Sequence, residues 1–139
     1  MSAAVNAART MGSPEMAASL DALYQIGWEL YQRDDFTRAA DVFRFLALLQ
    51  PTRHEAWWAL GACHEQLDDD AVAAVLYEIA FRAGEGPAEL GLLCARARAR
   101  AGDRSGAADL LASMRGATRD DAVLARIGAL ETEIGGGVS

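Results

Sequence analysis

Leu20-Asp-Ala-Leu-Tyr-Gln-Ile-Gly-Trp-Glu-Leu-Tyr-Gln32 and His54-Glu-Ala-Trp-Trp-Ala-Leu-Gly-Ala-Cys-His-Glu65 decide the fold when one is laid on the other with a shift of 34 residues. Gly61 then falls on Gly27, Leu60 on Ile26 and Trp58 on Tyr24. Working outward with the same period divides the chain into 20–53, 54–87 and 88–121 with no insertion. Unit position 8 holds Gly27, Gly61 and Ala95, and position 20 holds Ala39, Ala73 and Ala107. Bulky residues recur at position 24 as Phe43, Tyr77 and Leu111, and position 7 supplies Ile26, Leu60 and Cys94. Pro51 closes the first unit. The cause is steric: two antiparallel helices approach closely only where side chains are small, and large apolar residues then fill the space beside that contact. The third unit departs most, with Gly91 at position 4 and Arg98 at position 11.

This is the tetratricopeptide pattern, and the fold it predicts is all-α: an α-solenoid of three repeats plus a C-terminal capping helix. Asp34-Asp35-Phe36, Asp68-Asp69-Asp70 and Gly102-Asp103-Arg104 separate the paired helices with turn formers and cap oxygens. Helices are expected at about 20–33, 37–50, 54–67, 70–83, 87–101 and 104–115. Ser13-Pro14-Glu15 is a start signal that extends the first helix back to near residue 14. A seventh helix, with Asp120 or Asp121 as cap, places Val123, Ile127, Leu130 and Ile134 on one face to cover the last repeat. The resulting division is a disordered segment over 1–13, a repeat domain over 14–134 with the capping helix at 122–134, and a flexible tail over 135–139.

Composition narrows the function. The chain has 139 residues, 52% apolar and 24% charged, an ordinary globular balance. Its net charge of −7 lacks the basic footprint of a nucleic-acid binder, so no nucleic acid is expected as partner. No apolar run reaches the ~20 residues that span a bilayer, so no direct membrane insertion is expected. The first twelve residues lack a secretory core, which reads as a cytoplasmic location. Cys63 and Cys94 are too few for a disulfide framework and fall in apolar helical patterns as core residues. His54 and His64 have no partner at metal-ligand spacing, and Asp68-Asp69-Asp70 lacks the alternation and glycine of a calcium loop. Gly135-Gly136-Gly137 has no lysine and follows a helix, so it is no phosphate loop. Neither catalysis, a metal nor a cofactor is expected.

The helical phase points to a binding surface instead. Leu23, Ile26, Gly27 and Leu30 form one stripe, read as the packing face; Tyr24, Trp28 and Tyr31 form another, surplus to it. In a stack of helix pairs the first helices line the concave side, with positions 5, 9 and 12 in the groove. Trp58 and Ala62 take those places in the second unit, and Leu92, Arg96 and Ala99 in the third. The groove is thus expected to be aromatic at one end, narrow and apolar in the middle, and Arg-flanked at the other. Two readings stay open: a partner's peptide in the groove, or self-covering by a segment from the N-terminus or in a homodimer.

Residues 20–32 with Asp35-Phe36 and Ala39 to Phe43 resemble the first repeat of the class II type III secretion chaperones, the SycD/LcrH group. Trp57-Trp58-Ala59-Leu60-Gly61-Ala62-Cys63, just after Pro51, is similar to that group's second repeat. The likeness runs over about residues 16–115. It implies a bacterial chaperone that holds a hydrophobic translocator protein before secretion, taking an extended segment with spaced small apolar or Pro side chains into its groove. It also implies that Tyr24, Trp28 and Tyr31 of the first repeat, and Trp58 and Ala62 of the second, contact the client. A chaperone of the needle subunit, or an adaptor for another protein partner, are the alternatives. An adaptor that grips a peptide's C-terminus usually carries a Lys/Arg clamp in its first units, where this chain has Tyr24, Trp28 and Trp58.

Overall fold

The structure is a computed structural model that describes residues 12–83 and 86–136. Among those residues it is a stack of helices: α1 Pro14–Gln32, α2 Phe36–Leu49, α3 His54–Gln66, α4 Asp70–Arg82, α5 Ala88–Arg100, α6 Arg104–Ala117 and α7 Asp121–Gly136. Each packs on its neighbour in the chain, and α7 also touches α5. The pairs α1/α2, α3/α4 and α5/α6 are the three units read from the sequence, and α7 is the cap.

The 34-residue period is exact in the backbone of the turn inside each pair. Asp34, Asp68 and Gly102 all sit in the left-handed region, at φ 62°, 59° and 96°. Aspartate and glycine are among the residues that tolerate it. The next N–H, of Asp35, Asp69 and Asp103, donates to the carbonyl of Leu30, His64 and Arg98 at 2.9 Å in every case. Asp35 and Asp103 then cap α2 and α6, their carboxylates accepting from the N–H of Arg38 and Gly106. Asp69 makes no such cap bond. Its carboxylate lies 3.4 Å from His64 Nδ1 instead.

Packing follows the small-and-large rule. Ala39, Ala73 and Ala107 are fully buried. A Cβ placed on Gly27 would lie 2.7 Å from the ring of Phe43, and one on Gly61 would lie 2.8 Å from that of Tyr77. Position 8 is therefore a seat for the ring at position 24 of the same unit. Gly91 fits the same logic, because Phe81 of α4 and Met114 of α6 fill the space its side chain would take. Three apolar clusters form in series, around Phe43 and Leu46, around Tyr77 and Leu90, and around Leu111 and Ile127. Trp57 joins the first to the second, and Phe81 and Leu110 the second to the third.

Two sequence expectations change, and one is met at its edge. Ile26, placed on the packing stripe, is 46% exposed, whereas Leu60 and Cys94 at the same unit position are buried. Those two are covered by the unit before their own, and unit one has none before it among the described residues. Ser13 caps α1, as its place in the Ser13-Pro14-Glu15 start signal implies, its hydroxyl accepting from the Met16 N–H at 3.1 Å, although the expected disordered stretch extends to residue 13. Residues 1–11 of that stretch lie outside the described residues, as do 137–139 of the expected tail. Helix α7 runs on to Gly136, beyond the expected end at 134. Asp120 is its cap, accepting from the N–H of Ala122 and Val123.

Candidate peptide-binding groove

Helices α1 and α3 are the first helices of adjacent units, and between them opens a cleft of about 720 Å³. Its walls are register equivalents. Leu20 and His54 stand at position 1, Asp21 and Glu55 at position 2, Tyr24 and Trp58 at position 5. Ala17 and Trp28 extend the α1 wall, while Gln50 and Arg53 close the end from the α2–α3 turn. Two adjacent helices with aromatic residues at position 5, acidic ones at position 2, and Leu20 and His54 at position 1 leave this gap between them. The turn is held by the Trp57 indole, whose Nε1–H donates to the Pro51 carbonyl at 3.0 Å.

The aromatic residues in the cleft are anchored from behind. Trp28 lies 5.0 Å, and Tyr24 6.3 Å, from the centroid of Phe43, the ring seated on Gly27. Tyr31 meets Trp28 edge-on at 5.4 Å and Phe36 at 5.1 Å. The aromatic row is therefore shared between core and groove, not surplus to packing as its helical phase implied. Trp28 remains 41% exposed, a large amphipathic surface already ordered before anything binds. Tyr31 is partly buried and does not line the cleft. Burial raises the Tyr24 hydroxyl above its usual range, aided by the Glu55 carboxylate, so it stays protonated. That hydroxyl and the Gln50 side-chain oxygen are buried without a hydrogen-bond partner among the described residues. The rim is charged, with Arg53 3.6 Å and His54 4.0 Å from Glu55.

The middle of the concave face is not the narrow apolar strip expected around Ala62. Glu65, one turn on, stands at position 12, the place of Tyr31 in unit one and Ala99 in unit three. Its carboxylate accepts from the Tyr77 hydroxyl at 2.5 Å, from Arg96 at 2.7 Å and from Arg100 at 3.2 Å. Burial and that carboxylate push the Tyr77 hydroxyl far up. The 34-residue register alone is the signal that finds Glu65. Leu92, expected in the groove, is 5% exposed and belongs to the third cluster with Ile127 and Leu130 of α7. The capping helix covers it, as the next unit would in a longer stack. Arg96 does reach the concave face, but it is engaged by Glu65.

The two cysteine thiols are held protonated. Burial pushes the Cys63 thiol up to about 11 and raises that of Cys94, whose Sγ–H donates to the Ala74 carbonyl at 3.3 Å. Among the described residues no cluster of three or more His, Cys, Asp or Glu could hold a metal ion, and no helix is long and apolar enough to cross a membrane.

No family model matches the chain, and no curated protein matches it in sequence. Solved structures do match in fold. The Yersinia enterocolitica type III secretion chaperone SycD, crystallised with a peptide of the translocator YopD, aligns with a TM-score of 0.74 at 17% identity, over 88% of this chain and 96% of that one. PcrH from Pseudomonas aeruginosa aligns at 0.71 and 25% identity, over 84% and 92%. PcrH in complex with the chaperone-binding region of PopB aligns at 0.70 and 26% identity, over 86% and 98%. These likenesses span nearly the whole length of each neighbour, so the fold is shared along the stack of helices above. In its architecture the chain is one of a kind with the class II type III secretion translocator chaperones SycD and PcrH.

Proposed function

We propose that this protein is a non-enzymatic chaperone that binds an extended apolar segment of a type III secretion translocator in the cleft between α1 and α3. The observation that carries the reading is the cleft itself: about 720 Å³ walled by Tyr24, Trp28 and Trp58, on the concave side of a repeat stack. Its neighbours SycD and PcrH are crystallised with segments of the translocators YopD, PopD and PopB. Tyr24, Trp28 and Trp58 are the main contacts, Tyr31 and Ala62 flank them, and Arg96 serves the far end.

The energetics suit reversible capture. Three apolar anchors, each contributing roughly 1.5–3 kcal/mol on burial, must offset the ordering of a flexible ligand. The anchors together contribute roughly 4.5–9 kcal/mol before that cost is taken off, which limits a short segment to binding no tighter than about micromolar, near −8 kcal/mol. That strength keeps a hydrophobic client soluble and still lets it go. Because Tyr24 and Trp28 are ordered against Phe43 beforehand, little further side-chain entropy is lost there on the chaperone side.

The test is affinity purification from the native source with identification of the bound protein. A secreted, membrane-active translocator is expected with the wild-type protein. The Tyr24→Ala/Trp58→Ala double variant is expected to lose it while its helical circular dichroism stays intact. Undiminished client on the folded double variant would place the binding surface elsewhere.

A further inference from the structure

Arginine is the sole strong cation of this acidic chain, and three arginines alternate along α5 as Arg96, Arg98 and Arg100. Helical phase sends them two ways. Arg98 turns back to Glu78, at 2.9 Å, and to the Gly106 carbonyl. Arg96 and Arg100, four residues apart, share the concave face and share one oxygen of Glu65. Two guanidiniums thus stand against one carboxylate, which Tyr77 also occupies. Arg100 is half exposed, and the Nε of Arg96 has no hydrogen-bond partner among the described residues. Beside them lies a recess of about 140 Å³ walled by Arg96, Ala99, Arg100, Arg104, Leu130, Glu133 and Ile134. Ala99, the small residue at position 12, makes the room. Glu133 on the rim is the one acidic side chain lining it.

We infer that this recess is a carboxylate subsite, and that it takes an Asp or Glu side chain of the same segment whose apolar residues fill the α1/α3 cleft. The inference rests on the peptide-binding reading of the cleft. Charge complementarity selects the occupant, since guanidiniums facing a concave surface match a carboxylate in a forked geometry. Glu65 is then a positioning residue: it orders both guanidiniums before the ligand arrives, yet leaves them donors to spare, because arginine has five N–H groups. The stack sets the distance. Helices pack at 8–10 Å, so the step from the α1/α3 cleft to the α5/α7 recess is roughly 20 Å. Extended chain covers that in about six residues at ~3.3 Å each. The cleft selects apolar side chains; the recess sets register by requiring an acid at that separation.

The test uses the full chain and synthetic labelled peptides, acetylated and amidated so that only side chains carry charge. Each has an apolar extended block with a single Glu about six residues before or after it, paired with a Gln control. At low salt one Glu peptide is expected to bind roughly five- to tenfold more tightly than its control, the size of one partly exposed charge-assisted contact. Arg100→Gln/Arg104→Gln should reduce that preference to within about twofold while leaving the Gln peptide's affinity unchanged, and Glu133→Gln should widen it. Equal binding of Glu and Gln peptides to the wild-type protein, or a preference that survives the double arginine variant, would overturn the carboxylate subsite alone. Failure of every peptide to bind would overturn the cleft reading with it.

Discussion

Gly61 has no side chain because the ring of Tyr77 already occupies the place where one would begin, 2.8 Å from an ideal Cβ. The ring cannot easily yield: it is 1% exposed, and its hydroxyl is tied to Glu65. Gly61→Ala is therefore expected to destabilise by about 1–3 kcal/mol through overpacking, despite alanine's better helix propensity. Gly116 is the internal control, since it is helical in α6 and a Cβ there meets nothing within 4 Å. Gly116→Ala should stabilise by a few tenths to about 1 kcal/mol. Opposite shifts in urea midpoint for the two variants check the assignment; the same sign for both would contradict it. Gly102 shows a third case, with open space around it but a φ of 96° that L residues rarely adopt.

At the level of elements, α7 does two jobs with one amphipathic face. Ile127 and Leu130 replace the next unit over Leu92 and Leu111, while Arg126 donates to Glu89 at the start of α5. The hydrogen bond from Arg126 holds the Glu89 carboxyl below its ordinary value of 4.5, against a smaller opposing effect of burial. A carboxyl depressed in the folded state contributes stability above its ordinary value, and that contribution is lost as pH falls through the depressed one. Glu89→Gln should accordingly cost up to about 1 kcal/mol at neutral pH, the range for a partly exposed pair. The gap between variant and wild type should close as the pH drops below 4.5. Chemical denaturation at pH 7 and at pH 3 reads both. A gap of equal size at the two pH values would show that the pair does not tie the cap to the stack.

The whole molecule behaves as a line of neighbours, not as one central core. Three apolar clusters lie in series, and few side chains bridge them: Trp57 between the first and second, Phe81 and Leu110 between the second and third. In such a stack stability is a sum of unit and interface contributions, and cooperativity depends on the interfaces. Removing Phe81 takes a partly buried ring from the junction where it also fills the space beside Gly91. Phe81→Ala is expected to cost about 3 kcal/mol or more and to split thermal unfolding into two steps, with α6 and α7 released first. Hydrogen exchange should show early loss of protection in α6 and α7 while α1 to α4 stay protected. A single transition with uniform loss would mean that the clusters are coupled by more than these bridges. The peptide cleft lies in the half that is expected to survive.

The 34-residue period was enough to set the helix pairs, their order and their turns, because close helix packing admits only small side chains at positions 8 and 20, and those positions recur in plain sight. It also placed Tyr24, Trp28 and Trp58 on the concave side, since helical phase is local information. What surrounds a residue is not local, and there the tertiary structure decided. Ile26 and Leu60 share a unit position, yet one is exposed and the other buried, because only the second has a unit before it. Leu92 left the groove because α7 lies over it, and Arg96 joined Glu65 and Tyr77 across two units. A period states what each unit has in common. The ends of the stack, and the charges that meet between units, are where the units differ, and only the assembled chain brings those together.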